Sequence, residues 1–152
     1  MNALVRINWI ARGGLAFMFG YHGLVPKLLW LSPGERTMIQ SHGIDQVELF
    51  ANIAGAGEIV LALWILLAPR SSWPLTVAAT ALLSLLLDVA IFNPSMLRDA
   101  FNPVSLNVAG LALCAVAWNT RVLAKLNTPG ETMFAPPTPI AQTTEPASSS
   151  LP

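Results

Sequence analysis

Residues 49–68 read LFANIAGAGEIVLALWILLA, twenty positions interrupted by a single charge, Glu58. About 20 mostly apolar residues in a helix are what a bilayer's hydrocarbon core requires. This stretch therefore reads as a membrane-spanning helix with a carboxylate at its centre. An ionisable side chain at that depth costs roughly 2.5–3.5 kcal/mol on insertion scales, so it turns towards a bundle interior or a wet cavity.

The rest of the chain agrees with that reading. Of its 152 residues, 54% are hydrophobic and only 11% charged, with a mean hydropathy of +0.59. A soluble domain carries about 25% charged residues, and this chain cannot cover itself with so few. Its formal net charge is zero and it has no basic cluster, which argues against a nucleic-acid partner. The single cysteine, Cys114, excludes an intramolecular disulfide, a CxxC relay and a multi-cysteine metal or iron–sulfur site. Asn8 and Arg12 interrupt the first apolar stretch, which does not read as a secretory signal.

Four apolar segments stand out, at 7–31, 47–68, 74–92 and 103–123. The expected fold class is all-α: a four-helix transmembrane bundle over 1–126 with short interfacial helices in its loops. Ser32-Pro33-Gly34-Glu35 forms a capping box with proline at the first helical position, and Gly43 supplies the stop, which predicts a short helix over 33–42. Asn93-Pro94 and Asn102-Pro103 repeat the cap-and-proline pattern and predict a short helix over 94–100 before the last span. From 127 to 152 the chain is rich in Pro, Thr, Ser and Ala and is expected to be a disordered tail.

With alternating helix directions, Arg6, Arg12, Arg70, Arg121 and Lys125 fall on one side and Lys27, Arg36 and Arg98 on the other. The positive-inside rule then places both termini in the cytoplasm. At about 1.5 Å of rise per residue, His22, Lys27, Glu58, Asp88 and Asn107 gather in the outer half of the bundle. Small residues beside Glu58 (Ala51, Ala54, Gly55, Ala62) and a strip of Ala16, Gly20 and Gly23 mark close helix contacts. Pro26 removes an amide hydrogen bond one turn after His22, so a local break is expected there.

Plainer roles stand beside these. Glu58 can be a structural partner of His22 or Lys27, Asp88 of Lys27 or Arg98, and Asn107 an interhelical hydrogen bond. Arg12 is expected to extend to the inner interface along its stem, and His42 to be a solvated loop residue. The two histidines sit at different depths, which disfavours bis-histidine haem ligation. Trp9, Trp30, Trp73 and Trp118 fit an interfacial belt.

Three stretches carry a resemblance to a known family. They are LAFMFGYHGLVPKLLW with the following SPGE (15–35), AGAGEIVLALWILL (54–67) and FNPVSLN (101–107). In combination they resemble the DoxX-like family of small bacterial membrane proteins, over residues from about 10 to 125. The resemblance implies a four-helix membrane protein of the bacterial cytoplasmic membrane, and some members of the broader grouping belong to quinone-reducing complexes. No GxGxxG follows a strand in this chain, so a nucleotide-binding module is not expected.

Two functional expectations follow. In the first, the chain is a membrane redox subunit that binds a quinone, with Glu58 and His22 as catalytic groups and Tyr21, Lys27, Asp88 and Asn107 as ligand-binding groups. A protein partner supplies the electrons. In the second, it is a non-catalytic anchor, assembly factor or chaperone whose polar cluster fixes helix register. Small-solute transport is a weaker alternative, because four spans without an inverted repeat do not make a standalone carrier. The small-residue stripes also permit a homo-oligomer.

Overall fold

A computed structural model of the chain describes residues 3–98 and 102–126. All regular structure among them is helical: α1 (Ala3–Gly23) continuing into a π-helical segment (Leu24–Leu29), α2 (Pro33–Ser41), α3 (Val47–Leu67), α4 (Trp73–Phe92), a 3₁₀ turn (Pro94–Arg98) and α5 (Pro103–Leu126). The expected tail at 127–152 lies outside the described residues, as do the last two positions of the helix expected over 94–100.

Three helices, α3, α4 and α5, are long and apolar enough to cross a membrane, with mean hydropathies of 1.9, 2.2 and 1.3. α1 is equally long, but Arg6, Asn8 and Arg12 keep it outside that set. It packs between α3 and α5, while α4 closes the bundle against α5. Large apolar side chains such as Ile10, Phe17, Ile53, Val60, Leu87 and Ile91 point outward, as they do when the surrounding solvent is lipid.

The break expected at Pro26 takes the form of a π turn. Proline has no N–H to give, and the Trp30 amide bonds the Val25 carbonyl five residues back, at 2.9 Å. This widened turn lies where α1 and α3 come closest. A Cβ placed on Gly23 would sit 2.5 Å from the Gly55 carbonyl oxygen, and one on Gly55 would sit 2.6 Å from the Gly23 carbonyl oxygen. Only glycine at both positions allows the two backbones to touch.

The bundle has a filled end and a hollow end. Leu15, Ile65, Leu75, Ala78 and Ala117 belong to a buried apolar core towards the end where α1 begins. At the other end α2 packs on α3 through Ile39, Val47 and Ala51.

Arg12 does not extend to the interface as expected. It is fully buried, and its guanidinium donates to the carbonyls of Ile65 (2.9 Å), Ala68 (3.3 Å) and Ser71 (2.7 Å) and to Asn8 Oδ1 (3.1 Å). The last carbonyls of a helix have no partner within it and form the negative pole of its dipole. Where α3 ends beside α1, they hold the guanidinium inside. Asn8 in turn donates to the Ala117 carbonyl (2.6 Å) and to Thr120 Oγ1 (3.1 Å), tying α1 to α5.

The glycine contact predicts a contrast between neighbours. Gly55→Ala should destabilise the bundle by about 1–3 kcal/mol, the usual penalty for overpacking. Gly57→Ala, where an added Cβ meets nothing within 4 Å, should be neutral or stabilise by up to about 1 kcal/mol through helix propensity. Thermal unfolding of both variants in mild detergent measures the difference.

Candidate functional site

Lys27 projects from the π turn one helical turn beyond Gly23, and Glu58 from α3 one turn beyond Gly55. The glycine contact draws their stems together, and Lys27 Nζ donates to Glu58 Oε1 in a buried ion pair. A third charged group comes from α2: Glu35 Oε1 lies 3.6 Å from Lys27 Nζ. One ammonium therefore faces two carboxylates. Glu58 Oε2 is buried with no hydrogen-bond partner among the described residues.

The local sequence explains how Glu35 reaches this cluster. Its backbone N–H donates to Ser32 Oγ at 3.2 Å, which is the forward half of the expected capping box. The return half is not needed, because the Ser32 amide already bonds the Pro26 carbonyl at 2.9 Å. The carboxylate turns inward instead. Burial pushes the Glu35 carboxyl above its ordinary range; the Lys27 charge opposes that shift and the Glu58 charge adds to it.

These groups stand at one wall of a cavity of about 580 Å³ in the hollow end of the bundle. His22 and Asn107 also line it; Asn107, one turn into α5, is almost fully buried. The remaining wall is largely apolar, with Met18, Phe19, Leu82, Leu85, Val89 and Leu106 prominent. Leu85 and Leu106 are also more than a third exposed on the outer surface. The seam between α4 and α5 is thus thin on the side that faces lipid.

Four of the six residues expected to form a site, His22, Lys27, Glu58 and Asn107, share this cavity. The other two do not line it. Tyr21 is half exposed on the outer face of α1, tilted against Phe17 and edge-on to His22, with ring centroids 5.9 and 6.1 Å apart. Asp88 pairs with neither Lys27 nor Arg98: its Oδ1 lies 2.8 Å from His42 Nε2.

His42, expected to be a solvated loop residue, ends α2 and fastens it to α4. Its Nδ1 lies 2.8 Å from the Met38 carbonyl and its ring rests on Phe92 at 4.2 Å, while Asn93 Nδ2 donates to Ser41 Oγ at 2.9 Å. Both ring nitrogens face acceptors, which favours the doubly protonated imidazolium. The Met38 carbonyl and the Asp88 carboxylate accordingly hold the His42 pKa above its usual value.

Glu35 and Met38, both on α2, also line the cavity and were not singled out by the sequence. α2 is thus a cover over the hollow end, fastened to α4 at His42. No group of three or more His, Cys, Asp and Glu residues able to hold a metal ion exists among the described residues.

A model of the DoxX-like family matches residues 16–115, about two thirds of the chain. The match spans Glu58, Lys27, Glu35, His22 and Asn107. No curated protein and no solved structure matches the chain.

The His42–Asp88 fastening should respond to pH. A histidine whose folded-state pKa is raised adds stability that is complete below its ordinary pKa and is lost as pH rises through the raised value. Amide hydrogen exchange in α2, corrected for intrinsic rates, should be slower at about pH 6, below the ordinary histidine pKa, than at about pH 8.5. Asp88→Asn should bring the protection at the lower pH down to that at the higher one. Equal pH dependence in both proteins would remove His42 as the fastening.

Proposed function

The chain belongs to the DoxX-like family, and on that premise we propose that it is a quinone-binding membrane subunit of a redox system. On this reading it crosses the bacterial cytoplasmic membrane four times with both termini in the cytoplasm, and a protein partner supplies the electrons. The fourth span is α1. Its charge at Arg12 is fully buried and satisfied by the carbonyls of Ile65 in α3 and Ser71 in the loop after it, so it does not meet lipid and does not oppose insertion.

The observation that carries the proposal is the cavity: apolar over most of its wall, polar at one end, and walled by α4 and α5 on the lipid side. Its volume of about 580 Å³ lies within the roughly 300–1,000 Å³ of small-molecule sites. A ligand dissolved in the bilayer has its shortest way in through the seam between those two helices. A water-borne ligand has to pass under α2 and its fastening.

The residues present fit a quinone. Such a ring presents two carbonyl acceptors and, when reduced by two electrons, takes up two protons. His22 and the Asn107 amide offer donors on the cavity wall, and the buried, unpartnered Glu58 Oε2 is an acceptor suited to a ligand hydroxyl. Glu58 gives or takes a proton at the ring, Lys27 holds its carboxylate in place, and Glu35 is the neighbouring carboxyl through which the proton exchanges.

The test is extraction and chromatography of quinones from protein purified in mild detergent, comparing wild type with Glu58→Gln. Quinone should accompany the wild type in near-stoichiometric amount and fall by about tenfold in the variant, the loss equivalent to about 1.4 kcal/mol. Lys27 keeps Glu35 as a partner at 3.6 Å, so the variant should remain folded. Absence of quinone from both proteins after soaking with excess would turn the assignment to a non-catalytic anchor or assembly factor. In that case the Lys27–Glu58 pair serves only helix register.

A further inference from the structure

At the filled end of the bundle, every charged residue described is a cation. Arg6 and Arg12 begin α1, Arg70 lies between α3 and α4, and Arg121 and Lys125 end α5. The described acids Glu35, Asp45, Glu48 and Asp88 lie at the opposite end, and Glu58 lies in mid-helix. Two of these cations, Arg70 and Arg121, line a shallow, polar cavity of about 520 Å³ between α3, α4 and α5, with Ser71, Ser72 and Trp73 beside them.

Backbone carbonyls at this end are already engaged. The guanidinium of Arg12 takes those of Ile65, Ala68 and Ser71. Arg121 donates through Nη1 to Ser72 Oγ and through Nη2 to the Arg70 carbonyl, which fixes its plane at the cavity wall. A guanidinium has five N–H donors, so these two bonds leave donors over at the wall. The Arg70 side chain stands exposed beside it, and Trp73, 70% exposed, marks the level at which an indole meets the headgroup region.

We propose that this cavity binds the phosphate of an anionic phospholipid, held by Arg121 and Arg70 with the serine hydroxyls beside them and with the acyl chains lying along α4. The class of ligand follows from the site's charge and position. A phosphodiester accepts a fork of guanidinium donors, and basic pockets between membrane helices recognise anionic headgroups. The site stands at the opposite end from the proposed quinone cavity and does not depend on it.

The experiment is native mass spectrometry of protein taken from vesicles of equal parts phosphatidylglycerol and phosphatidylcholine. Wild type should retain the anionic lipid preferentially. Arg70→Gln, which leaves the Arg70 carbonyl bond to Arg121 in place, should lose about fivefold of that preference, the factor given by about 1 kcal/mol per basic side chain. Arg36→Gln, at the opposite end, should lose none. Arg121→Gln should lose at least as much as Arg70→Gln, and its unfolding midpoint shows whether it remains folded. Equal retention of the two lipids by wild type, or an unchanged preference in Arg70→Gln, would overturn the proposal. Displacement of the lipid by millimolar inorganic phosphate would assign the site to a soluble phosphate ester instead.

Discussion

Two glycine backbones meeting at Gly23 and Gly55 set the position of almost everything else at the hollow end. With a Cβ at either residue the carbonyl opposite would lie about 2.5 Å away, well inside contact distance, and α1 and α3 would have to separate. The same contact brings Lys27 and Glu58 together. The Cβ of Glu58 would lie 3.0 Å from a Cβ on Gly23, and that of Lys27 3.0 Å from one on Gly55. Breaking a buried ion pair by removing one partner is costly, so the pair in turn holds the helices in this register. The π turn at Pro26 belongs to the same arrangement, since it aims Lys27 inward at the level where α2 delivers Glu35.

Much of this arrangement was legible in the sequence, and the parts that were not share a cause. Helix starts at Pro33 and Pro103 follow from caps and prolines, and Glu58 declared itself by being charged in an apolar run. His22, Lys27, Glu58 and Asn107 meet because small residues reveal which face of each helix is inside. Tyr21 shows the limit of such reasoning: it neighbours His22 in sequence but lies about 100° around the helix from it. Glu35 was read as a cap and serves as one through its backbone N–H, but its side chain is released by a Ser32–Pro26 bond that no local pattern announces.

Arg12, Asp88 and His42 failed for a different reason. Each was assigned its nearest polar surroundings: the interface for Arg12, Lys27 or Arg98 for Asp88, solvent for His42. Each in fact bonds across the fold, to residues more than 40 positions away in sequence. In a bundle poor in charge, the polar partners available to a buried group are few and often belong to helix ends. The α3 C-terminus captures Arg12 because three carbonyls converge there. His42 captures Asp88 because the end of α2 falls beside the last turns of α4.

The two ends of the molecule meet the cost of buried charge in different ways. At the filled end, the buried guanidinium of Arg12 is matched by backbone carbonyls, which cannot change protonation. At the hollow end, one ammonium is shared by two carboxylates beside a cavity, and one carboxylate oxygen has no partner. A proton added to either carboxyl lowers the excess negative charge felt by the other. Glu35 is carried by α2, outside the membrane-spanning helices, and Glu58 by the middle of α3. On the proposed quinone-binding reading, Glu58 would meet the ligand and Glu35 the water beyond α2, a division of labour that a buried pair of one lysine and one glutamate would lack.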